Sequence, residues 1–232
     1  MRHILGLSLL VLPVFARAAS LDVDPIRVVF SAQNTITVVT LTNSGDTPAT
    51  VQLEPVAWSQ DKGEDVYAST RDLLATPPIF TVQPHAKQII RLGLRSKPDP
   101  VRERSFRLYL KEVPQALELK GMGVQMALRI GVPVFVAPIA PLKPSLQWTL
   151  KRVSDKELEL DAVNDGNAHV QVKQITLTDP NGATLAVQQA AYVLPGANRS
   201  WRVPVPKPEK AGKFKLTADT DQGALNAQPV LP

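Results

Sequence analysis

The sequence predicts an all-β protein built from two sandwich domains, and three observations support this prediction. Segments of strand length, rich in Val, Ile, Leu and Thr, recur at short intervals with turn residues between them. The chain shows no amphipathic helical pattern. A segment with three prolines in seven residues, 138–144, divides the chain into two unequal parts.

The first 18 residues have the pattern of a secretory signal peptide. Arg2 and His3 precede an apolar stretch at 4–15, and the small residues Ala16 and Ala18 have the spacing of a cleavage site. The apolar stretch is shorter than the roughly 20 residues that a membrane-spanning helix needs. We therefore expect an exported protein, cleaved after Ala18, with no membrane insertion.

Residues 19–138 contain enough strand segments for one immunoglobulin-like sandwich. The clearest turns between them are 43–46 and 61–63, where Asn, Asp, Ser and Gly cluster. The predicted strands are 26–30, 35–42, 50–58, 79–82, 88–94, 106–112 and 124–136.

Residues 139–144 are predicted to form a semi-rigid, proline-rich connector. Beyond it, residues 145–232 repeat the alternation of strand and turn, which indicates a second, smaller immunoglobulin-like sandwich. The predicted strands are 146–152, 157–163, 170–178, 185–190, 200–205 and 213–219.

The segment 124–136 has an unusual apolar pattern. Its apolar residues recur at period two and therefore share one strand face; they are Val124, Met126, Leu128, Ile130, Val132, Val134 and Val136. Pro133 cannot donate a ladder hydrogen bond, which favours a sheet edge. A long apolar edge invites pairing with another chain, and we interpret this pairing as the protein's function. Val134 and Val136 are expected to pack between the domains.

Composition excludes several function classes. The formal net charge is only +5 and aromatic residues make up 5%, so we expect no nucleic-acid binding. The absence of cysteine excludes thiol catalysis and cysteine metal sites. After the signal peptide only His85 and His169 remain, with no nucleophile motif or metal-ligand spacing, so we expect no enzyme, metal or cofactor.

Several short motifs, spread over most of the mature chain, are more specific together than any one alone. They are IRVVF at 26–30, LTNSGD at 41–46, VAW at 56–58, PPIF at 77–80, RL at 91–92, RERSF at 102–106 and LKEVP at 110–114. The set resembles the periplasmic chaperones of the chaperone-usher pathway. The resemblance implies a periplasmic location, with pilus subunits and an outer-membrane usher as partners.

The resemblance also implies a mechanism, donor-strand complementation, in which the chaperone lends an edge strand to a subunit that lacks one. The family's alternating donor motif corresponds here to Val124, Met126, Leu128, Ile130 and Val132. The short loop before it, 115–123, resembles that of pilus-building members. Whether the free protein caps this edge as a dimer stays open.

The family binds the subunit's C-terminal carboxylate with an arginine and a lysine. Arg27 matches the arginine, but Pro133 stands at the lysine position, which indicates a divergent, archaic-like branch. Arg91 and Arg129 are the alternatives for the second cation, with a slight preference for Arg91.

Arg102, Arg104 and Arg107 are interpreted as a solvated basic surface, and the three tryptophans as core residues.

The alternative function is a two-domain immunoglobulin-like adhesin or structural fibre subunit. Such a subunit would carry an N-terminal donor extension, whereas only residues 19–24 precede the first predicted strand, 26–30. This difference favours the chaperone.

Overall fold

The computed structural model describes residues 20–114, 127–187, 190–206 and 208–232. Within these ranges the protein is all-β, as predicted, and no helix is long and apolar enough to cross a membrane. The expected signal peptide and two of the expected donor residues, Val124 and Met126, lie outside the described residues.

The N-terminal part is a sandwich of two sheets. One has the strand order β1-β3-β8-β6, and the other has the order β2-β10-β9-β4-β5, with β7 also paired to β4. The strands are β1 (Leu21–Asp24), β2 (Val28–Phe30), β3 (Ile36–Asn43), β4 (Ala49–Asp61), β5 (Glu64–Ser69), β6 (Leu73–Thr76), β7 (Ile79–Val82), β8 (Lys87–Leu94), β9 (Arg104–Glu112) and β10 (Arg129–Val136).

Apolar residues from both sheets interdigitate between them. Val39 and Ile90 of the first sheet are fully buried against Leu108 and Val134 of the second. Burying such side chains is the main favourable contribution to folding, about 1.5–3 kcal/mol for each. Because side chains alternate along a strand, the residues between these core positions lie on the outer faces of the sheets.

The C-terminal part is a second sandwich. Its sheets have the orders β11-β12-β16 and β14-β13-β18-β19, with β15 paired to β13, and β17 pairs with β20 in a small third sheet. The strands are β11 (Leu146–Ser154), β12 (Glu157–Asn164), β13 (Val170–Thr178), β14 (Thr184–Val187), β15 (Ala191–Val193), β16 (Asn198–Pro204), β17 (Gly212–Lys213), β18 (Lys215–Thr220), β19 (Gly223–Ala227) and β20 (Val230–Leu231).

The packing between the two sandwiches differs from the sequence prediction. Val134 and Val136 lie in the N-terminal core, whereas Phe135, on the opposite face of β10, packs between the domains with Trp58 and Leu194. The even-numbered side chains of β10 turn inward, so the odd-numbered face is the one that meets the second domain. Trp58 is therefore an interface residue, and Trp201 is a core residue as expected.

The chain between β10 and β11 contains no strand; Ile139 and Ala140 donate backbone N–H groups to the carbonyls of Asp99 and Pro100, and the side chain of Asn167 adds further hydrogen bonds. The side chain of Asn167 donates to the carbonyls of Val101 and Pro141 and accepts from the backbone N–H of Lys143. Its own carbonyl accepts from the backbone N–H of Glu103. Asn167 thus fastens the connector to both domains.

Candidate functional site

The edge of β10 is open over residues 129–133. One side of the strand pairs with β9 over its full length, from Arg129 to Val136. The other side pairs in parallel with β2, only at Val134 to Val136. Within the described residues, no strand covers this second side from 129 to 133.

The ladder shows which main-chain groups face this edge. The N–H of Glu112 donates to the carbonyl of Leu128, so the even-numbered residues of β10 bond to β9. Odd-numbered residues point the other way, as the bond from Ala137 N–H to the Phe30 carbonyl shows. Pro133 therefore lacks a donor on the open side and disturbs no bond to β9, which is the physical reason why it is tolerated.

Two arginines flank Pro133 on the outer face of this sheet. The β2–β10 register sets Val28 opposite Val134, so Arg27, one residue earlier, adjoins Pro133. The β9–β10 register sets Arg107 opposite Pro133 on the other side. Their chain neighbours Val28, Phe106 and Leu108 are buried in the core, which directs both arginines to the outer face, where Phe135 meets the second domain.

Arg107 is held by aromatic rings. Its guanidinium carbon lies 4.2 Å from the ring centre of Trp58 and 5.8 Å from that of Tyr67. Its Nε is buried and has no hydrogen-bond partner. A Cβ at Gly131 would come within 3.3 Å of Arg107 Cδ, so glycine leaves space for this side chain. The expectation that Arg107 lies on a solvated surface was wrong, because the outer face of β9 is partly covered.

The three expected carboxylate-binding residues lie in different places. Arg27 and Arg129 share the outer face of the six-stranded sheet; Arg129 covers the Tyr109 ring at 3.7 Å and lies 3.8 Å from Glu54. Arg91 is on β8 of the other sheet, between the buried Ile90 and Leu92, and its side chain points away from the sandwich core. The expectation that Arg91 joins Arg27 is therefore corrected, because the core separates the two sheets.

The expected donor residues also differ in exposure. Leu128 and Ile130 are half-buried, whereas Val132 is only 1% exposed and belongs to the N-terminal core. The Val132 side chain is thus already packed within this domain.

Arg27 is engaged by the second domain. Its Nη1 lies 2.6 Å from Oδ2 of Asp221, which follows β18. Burial would raise the pKa of Asp221, but its interactions with His169, the Gln171 N–H and Arg27 outweigh burial and lower it to about 2. Asp221 is therefore ionised near neutral pH and contacts Arg27.

Sequence reasoning missed the contributions of Arg107 and Asp221. Asp221 is 194 residues from Arg27, and no local pattern relates them. The sequence around Arg107 did carry a signal for its position, because the alternation of Phe106, Arg107, Leu108 and Tyr109 places the arginine and the tyrosine on one strand face.

Among the described residues, no cluster of His, Asp and Glu could hold a metal ion.

Comparison with known proteins assigns the family. Residues 20–141 match the pili and flagellar-assembly chaperone, PapD N-terminal domain. The chain is 30% identical over 169 residues to the chaperone protein FimB/FhaD of Bordetella pertussis, covering 67% of this chain and 68% of that protein. It is 29% identical over 142 residues to the chaperone protein PapD of Escherichia coli, covering 60% of this chain and 57% of that protein.

The fold has a solved counterpart. A chain in the crystal structure of the CsuC-CsuE chaperone-tip adhesion subunit pre-assembly complex, from archaic chaperone-usher Csu pili of Acinetobacter baumannii, superimposes with a TM-score of 0.67. The two chains are 22% identical, and the match covers 92% of this chain and 98% of that one. Taken with the family match over residues 20–141, the chain belongs to the pilus-assembly chaperones of the chaperone-usher pathway.

Proposed function

We propose that this protein works in the periplasm, where it holds pilus subunits on the open edge of β10 and delivers them to an outer-membrane usher. Family membership supports subunit binding in general. The observation that carries the detailed proposal is that the uncovered edge at 129–133 ends beside Arg27 and Arg107.

The open edge supplies main-chain hydrogen bonds. Arg129 and Gly131 direct their N–H and C=O groups to the uncovered side, whereas the β2–β10 register pairs the Pro133 carbonyl with the Val28 N–H. A subunit strand placed along this side would pair with these groups and extend the sheet by one strand. Leu128 and Ile130 are half-buried and supply apolar contacts in the same register.

The position of β2 fixes the end of such a strand. β2 occupies the same side of β10 from Val134 onward, so a subunit strand along 129–133 would abut the first residue of β2. Arg27 directly precedes that residue. A C-terminal carboxylate bound at Arg27 therefore requires the subunit strand to run parallel to β10.

Arg107 is the second cation in this proposal. It lies across Pro133 from Arg27. Pro133 has no charged side chain, so it does not compete with the two arginines for a carboxylate. Two guanidinium groups can bind a carboxylate through charge-assisted hydrogen bonds, and the buried, unpartnered Nε of Arg107 is a donor in need of an acceptor. Arg129 lies on the same face but at the other end of the open edge, away from Pro133 and Arg27.

The test is recovery of pilus subunits by the tagged protein from a periplasmic extract of its own bacterium. Arg27→Gln and Arg107→Gln should each reduce recovery by more than about tenfold, since a desolvated charge pair contributes several kcal/mol. Arg91→Gln is the matched control and should recover subunits at the unaltered level. Each variant is checked for unchanged thermal unfolding.

Two outcomes would contradict the proposal at different levels. If the unaltered protein recovers no pilus subunit, the chaperone function is wrong. If Arg27→Gln and Arg107→Gln recover as much as Arg91→Gln, the carboxylate site is wrong and strand pairing alone holds the subunit.

A further inference from the structure

We propose that His169 and Asp221 form a pH-responsive positioning pair, in which the imidazole sets how firmly Asp221 holds Arg27 and hence how available Arg27 is to a subunit carboxylate. The inference rests on the proposed function of Arg27. Neither residue needs to touch the subunit, because both act through Arg27.

Four ionisable side chains form a continuous series across the domain interface. Glu103 Oε1 lies 2.7 Å from Nδ1 of His169, and Asp221 Oδ2 lies 3.5 Å from Nε2 of the same ring. The same Oδ2 atom contacts Arg27 Nη1 at 2.6 Å. Protonation of His169 therefore acts on the oxygen that Arg27 uses.

The series is largely shielded from water. The side chains of Glu103, His169 and Asp221 are 3%, 9% and 6% exposed. The ring of Phe135 covers the imidazole in a parallel stack at 3.5 Å. Coulomb interactions are stronger in such surroundings than in water. Protonation of His169 therefore changes the electrostatic energy of the three other side chains.

The orientation of the imidazole suits a switch. Glu103 Oε1 also accepts the backbone N–H of His169, so the carboxylate is fixed beside Nδ1. Nε2 is buried and makes no hydrogen bond, and it faces Asp221. In the protonated ring both nitrogens carry hydrogen, and each of them then faces a carboxylate.

The charged and titratable neighbours favour the imidazolium. Burial lowers the pKa of His169, but its interactions with the carboxylates of Asp221 and Glu103 outweigh burial, so the pKa is raised above 6.5. The Tyr192 ring lies 5.7 Å away; burial raises the pKa of this phenol, so it stays neutral near pH 7. The charges of Arg27 and Arg107 lower the pKa of the same phenol, but by less than burial raises it.

The two protonation states differ in what Arg27 meets. With neutral His169, the carboxylates of Glu103 and Asp221 face one cation, and Asp221 holds Arg27 firmly. With protonated His169, Asp221 shares its charge between the imidazolium and Arg27, so the guanidinium is freer to bind another carboxylate. Capture of a carboxylate at Arg27 is therefore favoured on the acidic side of the His169 titration, and by linkage the bound carboxylate raises the pKa of His169.

The coupling is measurable in the free, full-length mature protein by NMR. The probes are the C2 proton of His169 and the guanidinium carbon of Arg27, which Arg27→Lys assigns. Both signals should titrate with one shared midpoint above pH 6.5. In His169→Gln the Arg27 signal should become flat over the same range, whereas His85→Asn, which removes an exposed histidine at a positive φ that asparagine tolerates, should leave it unchanged.

Acetate serves as the minimal carboxylate probe, with acetamide as the neutral control. The acetate-dependent shift of Arg27 should saturate at a concentration at least about twofold lower one pH unit below the midpoint than one unit above it, a small but resolvable coupling. This dependence should vanish in His169→Gln. Acetamide should produce no such shift at either pH.

A flat Arg27 titration in the unaltered protein, or one that survives His169→Gln, would overturn the coupling. A His169 midpoint at or below 6.5 would do the same. Since no subunit is used, these results would leave the proposed subunit binding intact, and failure of subunit recovery would leave the measured coupling intact.

Discussion

The ring of Phe135 stacks on the imidazole of His169, with centroids 3.5 Å apart and planes inclined by 9°. Phe135 lies on the strand whose edge is open, and His169 directly precedes β13 of the second domain. Trp58 and Tyr192 complete the contact, at 5.9 Å and 5.6 Å from the Phe135 ring. The C-terminal end of β10 is therefore fixed by the domain interface.

Phe135→Ala should destabilise the protein by about 3–5 kcal/mol, the usual cost of truncating a buried phenylalanine. Phe135 is fully buried and loses contacts with three rings. The measurement is the free energy of unfolding in urea. Ile36→Ala is the control, because Ile36 is 70% exposed and should change this free energy little. Equal effects of the two substitutions would mean that Phe135 contributes no more to the free energy of unfolding than an exposed side chain does.

The stability of the protein should depend on pH in two separate ranges. Asp221, with its pKa lowered from 3.8 to about 2, stabilises the fold above its unfolded pKa, and this contribution is lost as the pH falls through the folded value. His169, with its pKa raised, stabilises the fold fully below 6.5 and loses this contribution as the pH rises through its folded pKa. Stability should therefore be greatest between these limits.

Urea unfolding across this pH range tests the assignment. His169→Gln should remove the decline on the alkaline side, whereas His85→Asn should retain it. A decline of the same size in His169→Gln would assign it to another group.

The open edge could be predicted from the sequence because its causes are local. The apolar residues alternate from Leu128 to Val136, and Pro133 in the same segment lacks a backbone N–H. The depth at which each side chain lies was not predictable in this way. Val132 and Ile130 have the same parity, yet only Val132 is fully enclosed by the N-terminal core.

The proposed carboxylate site was only partly predictable because it depends on which strands are neighbours. Arg91 and Arg107 both occupy outward positions of strands, and the sequence does not say that β9, rather than β8, adjoins β10. The parallel pairing of β2 with β10 joins segments about one hundred residues apart, and this pairing places Arg27 beside Pro133. The choice of Arg107 as the proposed second cation therefore rests on sheet order, which is set by long-range packing.

Leu128→Glu should abolish subunit recovery and leave the protein folded. Leu128 is half-buried at the start of the open edge, so a carboxylate there would have to be desolvated when a subunit pairs with the strand. Recovery from periplasmic extract and thermal unfolding are measured together. Ile89→Glu introduces the same charge at a 52% exposed position of the other sheet and should keep full recovery. If Leu128→Glu recovers subunits as well as Ile89→Glu does, the apolar contact at this position is not needed.

The side chain of Gln60 forms hydrogen bonds to main-chain groups of the second domain. Gln60→Ala should therefore destabilise the contact between the two domains. Its Nε2 donates to the Tyr192 carbonyl at 2.8 Å and to Asp65 Oδ1 at 2.9 Å, while its Oε1 accepts from the Leu194 N–H at 2.9 Å. Alanine would leave the two main-chain groups of the second domain without these partners, at a cost of about 1–3 kcal/mol for each that stays buried.

The measurement is the free energy of unfolding, accompanied by small-angle scattering, which should show a wider range of domain orientations for Gln60→Ala. Gln52→Ala, at an exposed position of the same strand, is the control and should match the unaltered protein in both measurements. Gln60→Glu gives a second comparison. It keeps an acceptor for the Leu194 N–H but sets a carboxylate beside Asp65 and the Tyr192 carbonyl, so it should be at least as destabilising as alanine. A Gln60→Glu protein as stable as the unaltered one would mean that the acceptor alone, and not the two donated hydrogen bonds, holds the hairpin of β4 and β5 against the second domain.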